Sequence, residues 1–265
     1  MQKDIHYYFT QEYLVRCGFD RKDAEIISSM DQLTDIFINP MDFIEIMKDL
    51  TRIALHHFIH PLDSIICMAD SPVIINHIKE AFTSDIFLFG IFLHTYQDTF
   101  SHQGFSGYQN PVNSVYRWYS PLSIIPNIGH AEVMTLPDIA TETWTDYRFD
   151  ETVSNAQRVI DMTRGMDMIF SDLLKKNIYN VDFAREFLSY KYYFQRKQFF
   201  YNKGIKRFSQ LRSHFIETYK TDIDRSYKKS YNILRSNYKH LEHLVLSQGG
   251  EFRRDFLKVM GDKRN

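Results

Sequence analysis

The chain sets His94, Asp98 and His102 at steps of four in the run His94-Thr95-Tyr96-Gln97-Asp98-Thr99-Phe100-Ser101-His102. If that run is helical, each step of four turns it by roughly 400°, so successive ligands sit only about 40° apart around the axis. Two imidazoles and a carboxylate then project from one face. Such a ladder can hold a divalent ion, or join two through the oxygens of Asp98. The plainer reading is a polar triplet on a solvated face. Against it stands the preceding Ile86-Phe87-Leu88-Phe89-Gly90-Ile91-Phe92-Leu93, since a helix that is apolar all round is a buried one.

Further candidate ligands cluster in the same half of the chain. Asp4 and His6 stand at the start. Asp31 and Asp35 are four apart and share one face of a helix. His56 and His57 precede His60 and Pro61, and His130 and Glu132 lie in a glycine- and proline-bearing stretch followed by Asp138. Each alone is an ordinary polar residue; a lone histidine is more often a satisfied core or surface group than a ligand. Their joint pattern, imidazoles interleaved with carboxylates, is the donor set that zinc takes.

The elements that must position these groups read as helices. Thr10–Cys17 is a short helix stopped by Gly18. Asp20 caps a second helix that runs past Asp35 towards Asn39-Pro40. Ser71-Pro72 opens a third, through Phe82, and Ser84 or Asp85 caps the ladder helix, which ends near Gly104. Residues 104–150 hold three glycines and four prolines and read as one long irregular stretch, the kind that is usually functional. Helices resume over about 151–176, 182–201 and 205–246, before Gly249-Gly250 and a short terminal helix. No convincing alternation marks a strand, so the expected class is all-α with a long active-site loop.

The near-neutral total conceals an asymmetry. Residues 1–181 carry 13 Lys/Arg and 24 Asp/Glu, a net of −11, whereas 182–265 carry 19 and 9, a net of +10. The expected division is a metal-binding helical catalytic core over 1–181 and a basic, aromatic-rich helical extension over 182–265 packed on it. Between Arg185 and Phe208 the extension interleaves Lys191, Arg196, Lys197, Lys203, Lys206 and Arg207 with Tyr190, Tyr192, Tyr193, Phe194, Phe199, Phe200 and Tyr201. Such a surface attracts a nucleic acid or an anionic membrane; the plainer reading is core aromatics and solvated lysines. Pairing of opposite charges, in the chain or across a homodimer, accounts for the asymmetry equally well. Cys17 and Cys67 are too few for a disulfide framework. The polar start and the absence of a bilayer-length apolar run give the expectation of a cytoplasmic protein.

Together these residues resemble the zinc-dependent phospholipase C and single-strand nuclease superfamily. The match rests on His6, Asp35 (or Asp31), His57-Phe58-Ile59-His60, Leu93-His94-Thr95-Tyr96-Gln97-Asp98, His102 and His130. Closer still, Asp4-Ile5-His6-Tyr7-Tyr8, the block His94–Gly107, and Gly129-His130-Ala131-Glu132 with Pro137-Asp138 resemble an uncharacterised bacterial branch of that superfamily. The resemblance covers roughly residues 1–140. It implies a multi-helix phospholipase-C-like bundle around two or three Zn2+ ions. It implies hydrolysis of a phosphate ester, in a phospholipid or in a nucleotide or nucleic acid, by a metal-activated water. Asp98 would bridge ions, and Asp35 would orient or deprotonate the water. Secreted members ligate metal through the amine of a mature N-terminal tryptophan; here Met1 begins the chain, and Asp4 is the expected replacement. The step from Asp98 to His102 is short for the superfamily. Met134 stands four residues after His130 where a carboxylate is usual, leaving Glu132 or Asp138 to substitute. The competing expectation is a non-catalytic helical protein with structural metal that binds a partner, nucleic acid or membrane through its basic helices.

Overall fold

The structure, a computed structural model, describes residues 1, 4–37, 56–59, 64, 66–107, 110–116 and 128–189. The expected helix over 205–246, the part of 182–201 beyond 189, nearly all of the basic and aromatic interleaving, and His60 lie outside the described residues. What is described is mainly helical. After a π-helical turn, Asp4–Phe9, come α1 (Thr10–Arg16), α2 (Arg21–Phe37), α3 (Pro72–Ser84), α4 (Ile86–Ser101), β1 (Thr143–Asp146), β2 (Glu151–Ser154), α5 (Asn155–Leu174) and α6 (Val181–Leu188). No helix among these residues is long and apolar enough to cross a membrane.

Helix α4 is the axis of the fold. Asp85 caps it, its carboxylate accepting from Phe87 N at 2.7 Å and Leu88 N at 3.2 Å. From Phe89 to Ser101 every residue is buried, as an all-round apolar start requires. Helices α2, α3 and α5 surround it. Gly90 lets α2 come close: a Cβ there would stand 2.5 Å from the Ile27 carbonyl oxygen. Asp20 caps α2 by accepting from Lys22 N and Asp23 N. Gly18, at φ +95°, ends α1 as expected.

The N-terminal segment is held from outside by α5 and α6. The Tyr13 hydroxyl donates to Asp167 on α5 at 3.0 Å. The Phe9 ring lies 5.2 Å from both Phe183 and Phe187 on α6. Because α6 begins at Val181 and buries Ala184 and Phe187, the charge change at 181/182 falls at the start of a helix that belongs to the core.

One expectation needs correction. Residues 104–150 are not irregular throughout, and 151–154 are not helical: β1 and β2 form an antiparallel pair with Thr143 opposite Ser154 and Asp146 opposite Glu151. The cause is local. β-Branched Thr143, Thr145, Thr152 and Val153 favour extended backbone, and β1 alternates outward Thr143 and Thr145 with inward Trp144 and Asp146. Four residues are too short for that alternation to stand out. The hairpin then braces the end of α4. Arg148 pairs with Asp146 and donates to the carbonyls of Gly104 and Val112 at 2.7 and 2.8 Å, and Arg158 donates to the Ser101 carbonyl at 2.7 Å.

Candidate metal centre

The ladder predicted on one helical face is buried, and three groups of ligand-type side chains converge on it. His6, His94 and Asp98 form the first, Asp35, His57 and His94 the second, and His102, His130 and Asp138 the third; within each group the ligand atoms lie within 4.8 Å of one another. Asp98 sits between them. Its Oδ1 is 3.2 Å from His6 Nε2, and its Oδ2 is 2.7 Å from His57 Nδ1 and 3.4 Å from His94 Nε2. The two carboxylate oxygens thus face different groups, the geometry a bridging ligand needs.

The imidazoles are oriented from behind. His6 Nδ1 and His94 Nδ1 lie 2.7 and 3.3 Å from Asp31 Oδ1. His102 Nδ1 lies 2.5 Å from the His57 carbonyl and His130 Nδ1 2.5 Å from the Met134 carbonyl. A carbonyl oxygen only accepts, so in the last two Nδ1 carries a proton and Nε2 is turned the other way. Those Nε2 atoms face Asp138, at 3.0 Å from His102 and 3.5 Å from His130. Such oxygen acceptors behind metal-binding histidines fix tautomer and ring direction. His6 Nε2 gives the sharpest test of fit. It is buried without a hydrogen-bond partner although Asp98 Oδ1 is 3.2 Å away. The two atoms are close but not aimed at each other, as ligands converging on a shared third point are. A borderline-soft divalent ion such as zinc suits this imidazole and carboxylate set.

The charges respond to this crowding. For Asp98, burial works against ionisation, but the Met1 ammonium, His102, His94 and a hydrogen bond from His57 hold its carboxyl well below the usual range. For His6, burial is likewise overcome, here by the Asp31 carboxylate, and its pKa is pushed up to about 10. Burial lowers His57 and His130. The amine of Met1 is 2.5 Å from Asp98 Oδ1 and 3.4 Å from Asp138 Oδ1. Against its own burial, those carboxylates raise its pKa to about 11. Ammonium and imidazolium protons therefore supply the positive charge that the carboxylates face.

The alternatives left open by the sequence separate as follows. Asp35 joins a group and Asp31 stands behind the imidazoles. His57 joins a group and His56, also buried, joins none. Asp138 joins the third group, whereas Glu132 accepts from Val115 N at 2.6 Å. Asp4 is buried but belongs to none of the three groups, and the Met1 amine lies against Asp98 instead. Asn155 holds Asp138 in reach by donating to the carbonyls of Leu136 and Ile139 at 2.6 and 2.8 Å. Gln97, which accepts from His6 Nδ1 at 2.9 Å, was missed. Its signal was its place three residues after His94. Met134 acts only through its carbonyl, for which a sequence carries no signal.

Residues 48–249 match the model of a family of unknown function, DUF6765, and the match includes every grouped residue except His6 and Asp35. No curated protein matches the chain, and no solved structure does.

Proposed function

We propose that this chain, which belongs to the DUF6765 family, is a zinc-dependent hydrolase of phosphate esters. One observation carries the reading: four buried histidines, each with Nδ1 engaged by an oxygen acceptor, turn Nε2 towards Asp98 or Asp138. The choice of phosphate esters, and of a phospholipase-C-like bundle, comes from the resemblance to the phospholipase C and single-strand nuclease superfamily.

His6, His94 and Asp98 would hold one ion, Asp35, His57 and His94 a second, and His102, His130 and Asp138 a third. Zinc bound there lowers the pKa of a coordinated water towards neutrality and polarises phosphoryl oxygens. The chain's own residues do the rest. Asp98 stands between the first two groups, with Oδ1 towards His6 and Oδ2 towards His57 and His94. Asp35, held by a hydrogen bond from Gln32 Nε2 at 3.1 Å, would orient a water or take its proton, as the resemblance implies. Asp138 is the group's exposed edge, its side chain 19 % accessible against 1 % for Asp98. A phosphate would therefore approach from the side of Asp138.

Plasma mass spectrometry on the full chain after zinc loading tests the site, with His94→Ala and Asp98→Ala as controls. Two or three ions per chain are expected; fewer than one overturns the reading. A panel of phosphatidylcholine, single-stranded DNA and RNA, cyclic dinucleotides and p-nitrophenyl phosphodiesters tests the reaction. Turnover abolished by chelator is expected on at least one, and its absence on all favours a structural metal.

A further inference from the structure

We propose that the centre is built in two tiers. Asp31 is the positioning residue for the inner pair of metal positions, those of His6 and His94, and the outer position of His102, His130 and Asp138 loads independently of it. This rests on the reading of the three groups as zinc positions.

Asp31 is fully buried, and a single oxygen of it, Oδ1, faces both His6 Nδ1 and His94 Nδ1. Its other oxygen accepts from the Thr10 hydroxyl at 3.2 Å, which shares its proton with the Ile5 carbonyl at 3.0 Å; that hydroxyl accepts from Gln97 Nε2 at 2.7 Å, and Gln97 Oε1 returns to His6 Nδ1. The result is a closed ring of buried polar groups from the π-helical turn, α1, α2 and α4. One carboxylate rotamer therefore sets two imidazoles whose ring centres are 4.2 Å apart. Because His94 serves both inner groups, both depend on Asp31.

The outer group has a different support. His102 and His130 are held by the neutral carbonyls of His57 and Met134. The tiers touch through the His57 carbonyl, Asp98 and the Met1 amine. Nothing in the outer group is held by Asp31. An ionised acceptor makes a hydrogen bond roughly twice as strong as a neutral one and raises the basicity of the ligand it orients. The inner pair is thus held more tightly, and the outer ion leaves first.

Native mass spectrometry of the full chain in zinc buffers reads the ions one by one. Wild type is expected to pass through a long-lived two-zinc species as free zinc falls. In Asp31→Asn the inner pair weakens by about 10- to 100-fold, the usual cost of losing such a partner, while one zinc stays at wild-type affinity. His130→Ala gives the converse, two tight ions and no third. Thr10→Val, which keeps the carboxylate but frees its second oxygen, gives a smaller loss confined to the same pair and guards against misfolding of the first variant. An Asp31→Asn chain that binds all three ions as wild type does, or loses all three alike, overturns the two tiers. A wild-type chain that binds no zinc instead overturns the metal centre itself.

Discussion

Gly90→Ala separates packing from helix propensity, because the two predict opposite signs. In an exposed helix interior alanine is favoured over glycine by roughly 1 kcal/mol. In this fold the added Cβ stands 2.5 Å from the Ile27 carbonyl oxygen and 2.8 Å from Met30 Cβ. Non-bonded heavy atoms settle at roughly 3.5 Å, so α2 and α4 must part by about 1 Å. The first obstacle is backbone, which has no rotamer to change. Overpacking of this kind costs about 1–3 kcal/mol, leaving a net destabilisation of up to about 2 kcal/mol once the propensity gain is subtracted. Four residues further along both helices, Asp31 and His94 meet at 3.3 Å, so the displacement reaches the proposed metal centre. Metal–ligand distances tolerate about 0.2 Å; a drop in zinc affinity of at least about tenfold follows on the scale seen when second-sphere support is lost. Thermal melting of the metal-free chain and zinc-buffer titration measure the two effects. A raised Tm with undiminished zinc affinity would refute the argument that Gly90 exists for close approach.

Three further outcomes are expected. Asp138→Asn removes the outer ion, whereas Glu132→Gln keeps it and costs about 1–3 kcal/mol in stability through the bond to Val115 N; plasma mass spectrometry and melting curves distinguish them, and equal zinc loss in both would contradict the assignment. The metal-free chain loses stability between pH 7 and 11. His6 and the Met1 amine have folded pKa values raised to about 10 and about 11, so their contribution is present below the unfolded values and fades as pH rises through the folded ones. Zinc must displace those protons, so the loaded chain shows no such fall; parallel pH-dependent melts that lie flat for the metal-free form count against it. Residues joined ahead of Met1 remove the ammonium that lies against Asp98, so an N-terminal tag lowers the Tm of the metal-free chain relative to the same tag at the other end.

How much of this was legible depended on the range of the interaction. The ladder was, because the helical repeat alone brings His94, Asp98 and His102 together and the apolar run before them buries the helix. The caps at Asp20 and Asp85 and the stop at Gly18 were legible for the same reason: cause and effect lie within four residues. The choice between Asp31 and Asp35 was not. Both occupy one face of α2, and which stands behind the imidazoles depends on the approach of α2 to α4 at Gly90, a contact over 60 positions of sequence. Glu132 and Asp138 likewise could not be ranked, since Asn155 decides the matter by gripping the backbone on both sides of Asp138. The hairpin went unread because its strands are four residues long.

The centre also explains why α4 is so apolar elsewhere. Removing Asp31 and Asp98 from water carries a penalty of several kcal/mol per charge, and each is returned only by a well-directed positive partner. In the metal-free chain those partners are the His6 imidazolium and the Met1 ammonium, both made basic by the very carboxylates they satisfy. The packing around Gly90 and of Phe9 against Phe183 and Phe187 holds the helices in register while protons occupy the role. On the proposed reading, loading with zinc is then an exchange of cations inside a scaffold already closed. It follows that zinc uptake releases protons into the buffer, and that the core melts as one unit whether or not the ions are present.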